Sequence, residues 1–176
     1  HAPIVARPGS APRRPGPPGW TDFVPTSGMT TSSAWHVVTP GVVVLPDGVA
    51  VRVRGLRGRP PEGPEPDLGV YLSARDPGHQ PWPHLWIPWP DFRLPRHPTS
   101  ALRMLRAAAD SAQTQRVEIA CRGGIGRSGC ALAVLAIDAG VPPAEAVTWV
   151  REHLHPRAVE TRWQRRWVEG ITPRYA

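Results

Sequence analysis

Apolar residues along the chain follow two different periods. Between Trp35 and Ile87 they come in short, β-branched runs bounded by Pro and Gly, the signature of strands. Val42-Val43-Val44-Leu45 and Val49-Ala50-Val51-Arg52-Val53-Arg54 flank a Pro46-Asp47-Gly48 turn, which predicts a β-hairpin. Leu68-Gly69-Val70-Tyr71-Leu72 predicts a further strand, and Leu85-Trp86-Ile87 a short one. From Ser100 onward the period becomes helical. A helix is expected from about Ala101 to Ala112 with Thr99 or Ser100 as its cap, then a buried strand over Val117-Glu118-Ile119-Ala120 that ends on Cys121. Another helix is expected from about Arg127 to Ala139, closed by Gly140 with Pro142-Pro143 beyond it. Two more are expected, from about Ala144 to His153 and from about Glu160 to Val168. Strands followed by a strand-loop-helix unit and further helices predict an α/β domain with a central mixed sheet flanked by helices.

Composition divides the chain before that pattern begins. Residues 1–31 are rich in Pro, Gly, Ser and Arg, as in Arg13-Arg14-Pro15-Gly16-Pro17-Pro18-Gly19, and bury too little to offset ordering entropy. This segment is expected to be extended or disordered, with Trp20 and Phe23 as candidates for docking on a folded domain over residues 32–176. The formal charge is +7, but all 21 basic residues are Arg, a bias that a GC-rich coding sequence also produces. The charge therefore supports nucleic acid as a partner only weakly, while it favours an anionic substrate. Two cysteines, Cys121 and Cys130, make no disulfide framework, so a reducing cytoplasm is expected. No run approaches the roughly 20 apolar residues of a membrane span. No His pair has metal-ligand spacing, His153-Leu154-His155 included. A monomer without metal or cofactor is expected.

The richest segment is Cys121-Arg122-Gly123-Gly124-Ile125-Gly126-Arg127-Ser128, placed between a buried strand and a helix. Three glycines let the backbone amides of residues 122–127 turn inward, and the helix N-terminus adds partial positive charge on the same side. Arg127, six positions after Cys121, can set a planar fork opposite the thiol and hold two phosphate oxygens. The same donors stabilise a thiolate, which makes Cys121 a candidate nucleophile. The Ser128 hydroxyl can donate to the sulfur as it leaves. A Walker-type nucleotide loop is excluded because the chain has no Lys.

This Cys loop resembles the signature of the protein-tyrosine and dual-specificity phosphatases: a Cys, five residues, an Arg and a Ser or Thr. Such proteins tend to carry His immediately before the Cys, where this chain has Ala120. Trp89-Pro90-Asp91-Phe92, about thirty residues upstream, is similar to their mobile acid loop. The resemblance implies that Asp91 protonates the leaving group and then takes a proton from water. Arg157-Ala158-Val159-Glu160-Thr161-Arg162-Trp163-Gln164 is similar to the segment whose Gln positions that water. Gln164 is either that residue or a polar group on a helix face, and Arg157 either orients the loop or is a surface charge.

The implied activity is phosphomonoester hydrolysis through a phosphocysteine, on a phosphorylated protein or a small phosphoester. Other substrates open to the same chemistry are a nucleotide, an RNA 5′ end or an inositol lipid. A silent phospho-binding module is the alternative from another class, disfavoured because it has no use for an acid. Cys130 is read as a small buried helix residue rather than the partner in a protective disulfide. Trp82, Trp86 and Trp89 are read as cleft rim or as packing.

Overall fold

The computed structural model describes residues 34–175. The segment over residues 1–31, and with it the docking considered for Trp20 and Phe23, lies outside the described residues. Among the described residues there are five strands: β1 (Val42–Val44), β2 (Ala50–Gly55), β3 (Leu68–Ser73), β4 (His84–Pro88) and β5 (Val117–Cys121). They form one mixed sheet in the order β1-β2-β5-β3-β4. The hairpin pair β1 and β2 is antiparallel, and the other neighbours run parallel.

This topology decides where chemistry can gather. In an open parallel sheet, ligands bind beyond the carboxyl ends of the strands. Here Cys121 pairs with Gly55 of β2 on one side and Leu72 of β3 on the other, while Ser73 pairs with Pro88 at the end of β4. The Cys loop, the chain after β2 and the Trp89-Pro90-Asp91 turn therefore all leave the same edge of the sheet.

Four helices follow: α1 (Pro98–Ala112), α2 (Gly126–Asp138), α3 (Ala146–His153) and α4 (Arg162–Glu169). Residues alternating along the strands, including Val51, Val53, Val70, Leu72, Ile87 and Ile119, pack with Leu105 of α1 and with α2 in a single core. Helix α2 is buried on every side from Gly126 to Ile137. A helix apolar all round belongs inside a domain, and α1, α3 and α4 enclose it. The opposite alternation carries Arg52, Arg54 and Glu118. Glu118 is fully buried and accepts at 2.7 Å from both Arg52 and Arg54. Arg52 stacks on Trp35 at 4.0 Å, and the Trp35 indole donates to the Val117 carbonyl. Buried charge is tolerable only when paired in this way.

Three helix starts differ from expectation. Helix α1 begins at Pro98 after an N-cap His97 that makes no side-chain cap, rather than behind Thr99 or Ser100. Pro fits the first helical position because its missing N–H has no intrahelical role there. Helix α3 begins at Ala146 rather than Ala144. Helix α4 begins at Arg162 rather than Glu160, because Thr161 and Gln164 form a capping box.

Candidate active site

Strand β5 is buried along its whole length and delivers Cys121 to the sheet edge. The chain then turns back on itself so that the Gly124 N–H points at the Cys121 Sγ, 3.2 Å away. Gly124 adopts φ +70°, and a Cβ there would lie 2.6 Å from the Gly55 nitrogen. Both facts require glycine. The loop is fixed to β2 by Leu56 N–H donating to the Cys121 carbonyl at 2.9 Å and Arg57 N–H donating to that of Arg122 at 3.3 Å. Ile125 precedes α2 with no side-chain cap, so the N–H groups of its first turn remain available to an anion.

Arg127 is 4 % exposed, and its guanidinium is aimed by two partners. It donates to the Trp89 carbonyl at 3.0 Å and pairs with the Asp91 carboxylate at 3.0 Å. Trp89 is fully buried, packs edge-on against Trp167 and donates from its indole to the Arg93 carbonyl at 2.7 Å. It is thus the fixed point of a turn that projects Asp91. Phe92, next in the chain, takes φ +56° and is 56 % exposed. A bulky residue in that region stores strain.

Asp91, Cys121 and Arg127 line one pocket of about 280 Å³ together with Arg122, Gly123, Ile125 and Gly126. Gly124 and Ser128 are buried behind the lining, and the Ser128 hydroxyl has no hydrogen-bond partner among the described residues. Arg57, Phe92 and Glu160 complete the walls.

A sequence model described as protein-tyrosine phosphatase matches residues 70–146, from β3 through the Cys loop and α2. The crystal structure of Tk-PTP in its active form is similar to this fold at TM-score 0.55 and 28% identity, covering 74% of this chain and 95% of that one. A mutant form of Tk-PTP matches at TM-score 0.50 and 28% identity, covering 58% of this chain and 74% of the other. No curated protein sequence matches. The chain is similar to protein-tyrosine phosphatases in sequence over residues 70–146 and in fold over most of the described residues. These similarities support phosphatase activity.

One expected residue sits away from the pocket. Gln164 is fully buried; its side-chain oxygen accepts from Thr161 N–H at 3.1 Å and its amide donates to the Arg93 carbonyl at 3.4 Å. It ties α4 to the turn that carries Asp91 and does not line the pocket. The residue that the same segment presents there is Glu160, whose carboxylate lies where a Cβ on Gly126 would be. Arg151 holds this segment by donating to the carbonyls of Ala158 and Val159, and Gly129 lets it approach α2 closely. Arg157 is exposed, as a surface charge is. None of Trp82, Trp86 and Trp89 lines the pocket; their indoles donate to Tyr71, Ser73 and Arg93, which is packing. Burial pushes the Cys130 thiol up, reinforced by Cys121 and Glu160, which disfavours its thiolate.

The sequence pattern alone does not mark Glu160 and Arg57 as pocket residues. Glu160 is an evident acid within residues 157–164, but only packing against Gly126 shows where its carboxylate goes. Arg57 reaches the pocket through the β2–β5 pairing, which local pattern does not reveal.

Proposed function

We propose that this protein hydrolyses phosphomonoesters by two displacements through a phosphocysteine, with Cys121 as nucleophile and Asp91 as acid and then base. The observation that supports it most is the convergence of three groups on one pocket: a thiol facing the Gly124 amide, a buried guanidinium, and a carboxylate paired with that guanidinium.

Substrate phosphate enters the cup formed by the amides of residues 122–127 and by Arg127. Its oxygens compete with Asp91 for the same guanidinium, so binding frees the carboxyl group to face the leaving oxygen. Cys121 Sγ forms a bond to phosphorus as the ester P–O bond breaks, and Asp91 gives its proton to the departing oxygen. The amide donors and Arg127 hold the charge that builds on the equatorial oxygens. In the second displacement water attacks phosphorus, Asp91 takes its proton, and the sulfur departs while accepting a hydrogen bond from Ser128. Glu160 is the polar group of the 157–164 segment best placed to orient that water. Gln164 would have to leave Thr161 and Arg93 to do so, and its proposed part here is to hold the acid turn in place. A free, reduced Cys121 is essential to this chemistry, which favours a reducing cytoplasm.

The test is turnover of p-nitrophenyl phosphate by the wild-type protein and by Cys121→Ser. The wild type turns over and the variant does not, while still binding inorganic phosphate. Full activity in Cys121→Ser would overturn the mechanism.

A further inference from the structure

We infer that Arg57 and Arg122 form a second anion subsite at the mouth of the pocket, so that the preferred substrate is a small phosphoester carrying a second phosphate or carboxylate group. This rests on the phosphatase reading above and narrows its substrate class. Both residues line the pocket that holds Cys121, and both are exposed. Their backbones are joined, Arg57 N–H donating to the Arg122 carbonyl at 3.3 Å, so the two side chains start from neighbouring points on one wall. Neither guanidinium has an ion-pair or hydrogen-bond partner among the described residues. Some other arginines hold carboxylates among the described residues: Arg52 and Arg54 share Glu118, Arg106 takes Asp138, and Arg116 takes Asp67; what sets Arg57 and Arg122 apart from the remaining exposed arginines is that they line the pocket of Cys121.

The pocket's own acids do not neutralise this pair. Asp91 is engaged by Arg127. Glu160 lies against Gly126, at the opposite end of the loop from Arg122, where the α2 N-terminus favours its charge. Cleaving a single phosphate uses the amide cup and Arg127, which leaves Arg57 and Arg122 on the pocket wall, neither guanidinium paired among the described residues. A guanidinium is built for planar, bidentate recognition of carboxylate or phosphate. Room is sufficient for more than the scissile group: the pocket of about 280 Å³ is roughly nine times the ~30 Å³ that one water occupies in the liquid. Because both residues line this small pocket, the second anion belongs close to the scissile phosphate on the same small molecule rather than far along a polymer.

The experiment compares kcat/KM for phenyl phosphate with that for benzene-1,3-bisphosphate and 3-carboxyphenyl phosphate, in wild type, Arg57→Ala and Arg122→Ala. Taking the ratio of each bis-anionic substrate to phenyl phosphate within one variant cancels general effects on the cup. The wild type should prefer the bis-anionic substrates, and either substitution should lower that ratio about tenfold, the loss expected for one charge-assisted hydrogen bond. Arg57→Lys should recover part of it. In Cys121→Ser, inorganic pyrophosphate should bind more tightly than inorganic phosphate, and adding Arg57→Ala should remove the difference. A nucleoside 3′,5′-bisphosphate and a doubly phosphorylated peptide serve as further arms. Preference for the peptide alone would overturn the small-molecule assignment. Absence of preference in the wild type, or a preference that survives both substitutions, would overturn the subsite. If phenyl phosphate itself is not hydrolysed, the phosphatase reading fails instead.

Discussion

Replacing Gly124 by Ala tests the geometry of the phosphate cup at its tightest point. Gly124 holds φ +70°, a conformation that costs an L-residue about 1–2 kcal/mol. The added methyl would also lie 2.6 Å from the Gly55 nitrogen and 2.7 Å from the Arg54 carbonyl carbon. These are backbone atoms of β2, held by pairing with β5 and by the Leu56 to Cys121 hydrogen bond, so they cannot swing aside as a side chain could. Overpacking of this kind adds about 1–3 kcal/mol, for a sum of roughly 2–5 kcal/mol. At about 2–4 °C per kcal/mol for a chain of this size, the melting temperature should fall by at least about 4 °C. Relief of the clash must push the loop away from β2, which takes the Gly124 N–H off the Cys121 sulfur. Loss of one such donor costs about 10²–10³ in kcat, so p-nitrophenyl phosphate turnover should drop by that order. Gly123→Ala is the control for stability, since a Cβ there meets nothing within 4 Å, and its melting temperature should match wild type. A Gly124→Ala protein with wild-type stability and turnover would refute the reasoning.

Other substitutions and reagents probe separate parts of the account. Asp91→Asn removes the proposed proton donor and should lower kcat by about 10²–10⁴ on phenyl phosphate; the loss should shrink on p-nitrophenyl phosphate, whose leaving group needs less help, as a leaving-group series would show. Iodoacetamide should modify Cys121 and spare Cys130 in the native protein, because burial holds the Cys130 thiol protonated; peptide mapping before and after denaturation reads this directly. Glu118→Ala strands Arg52 and Arg54 without their shared carboxylate and should destabilise the fold by about 3–5 kcal/mol in urea unfolding.

The strands and helices are legible because apolar residues recur in them in short β-branched runs or at helical spacing. Strand β5 and helix α2, the two that carry the site, are also the most completely buried. What local pattern misreads is where helices start. Thr161 and Gln164 do spell a capping box in sequence, yet the resemblance draws attention to Gln164 as a pocket residue, while its amide is spent on the cap and on Arg93. Cys121, Arg127 and Asp91 are legible because the loop between strand and helix, and the Trp89-Pro90-Asp91 turn, keep their chemistry in short contiguous segments. Arg57 and Glu160 are not, since their place in the pocket comes from the β2–β5 register and from the packing of residues 158–160 on α2. The Ala120 position has a similar lesson. Its side chain alternates to the face opposite Cys121, in register with Arg54 and Tyr71, so whatever a His there contributes elsewhere must act through the sheet.

The most direct test of the central claim is to trap the covalent intermediate. Wild-type protein should be mixed with an excess of radiolabelled aryl phosphate, quenched in acid within one turnover, and mapped by peptide mass spectrometry. Label should appear on the peptide that contains Cys121, as a thiophosphate ester, and should be absent from Cys121→Ser. Hydrolysis that proceeds with no label on the protein, or label on any residue other than Cys121, would contradict it.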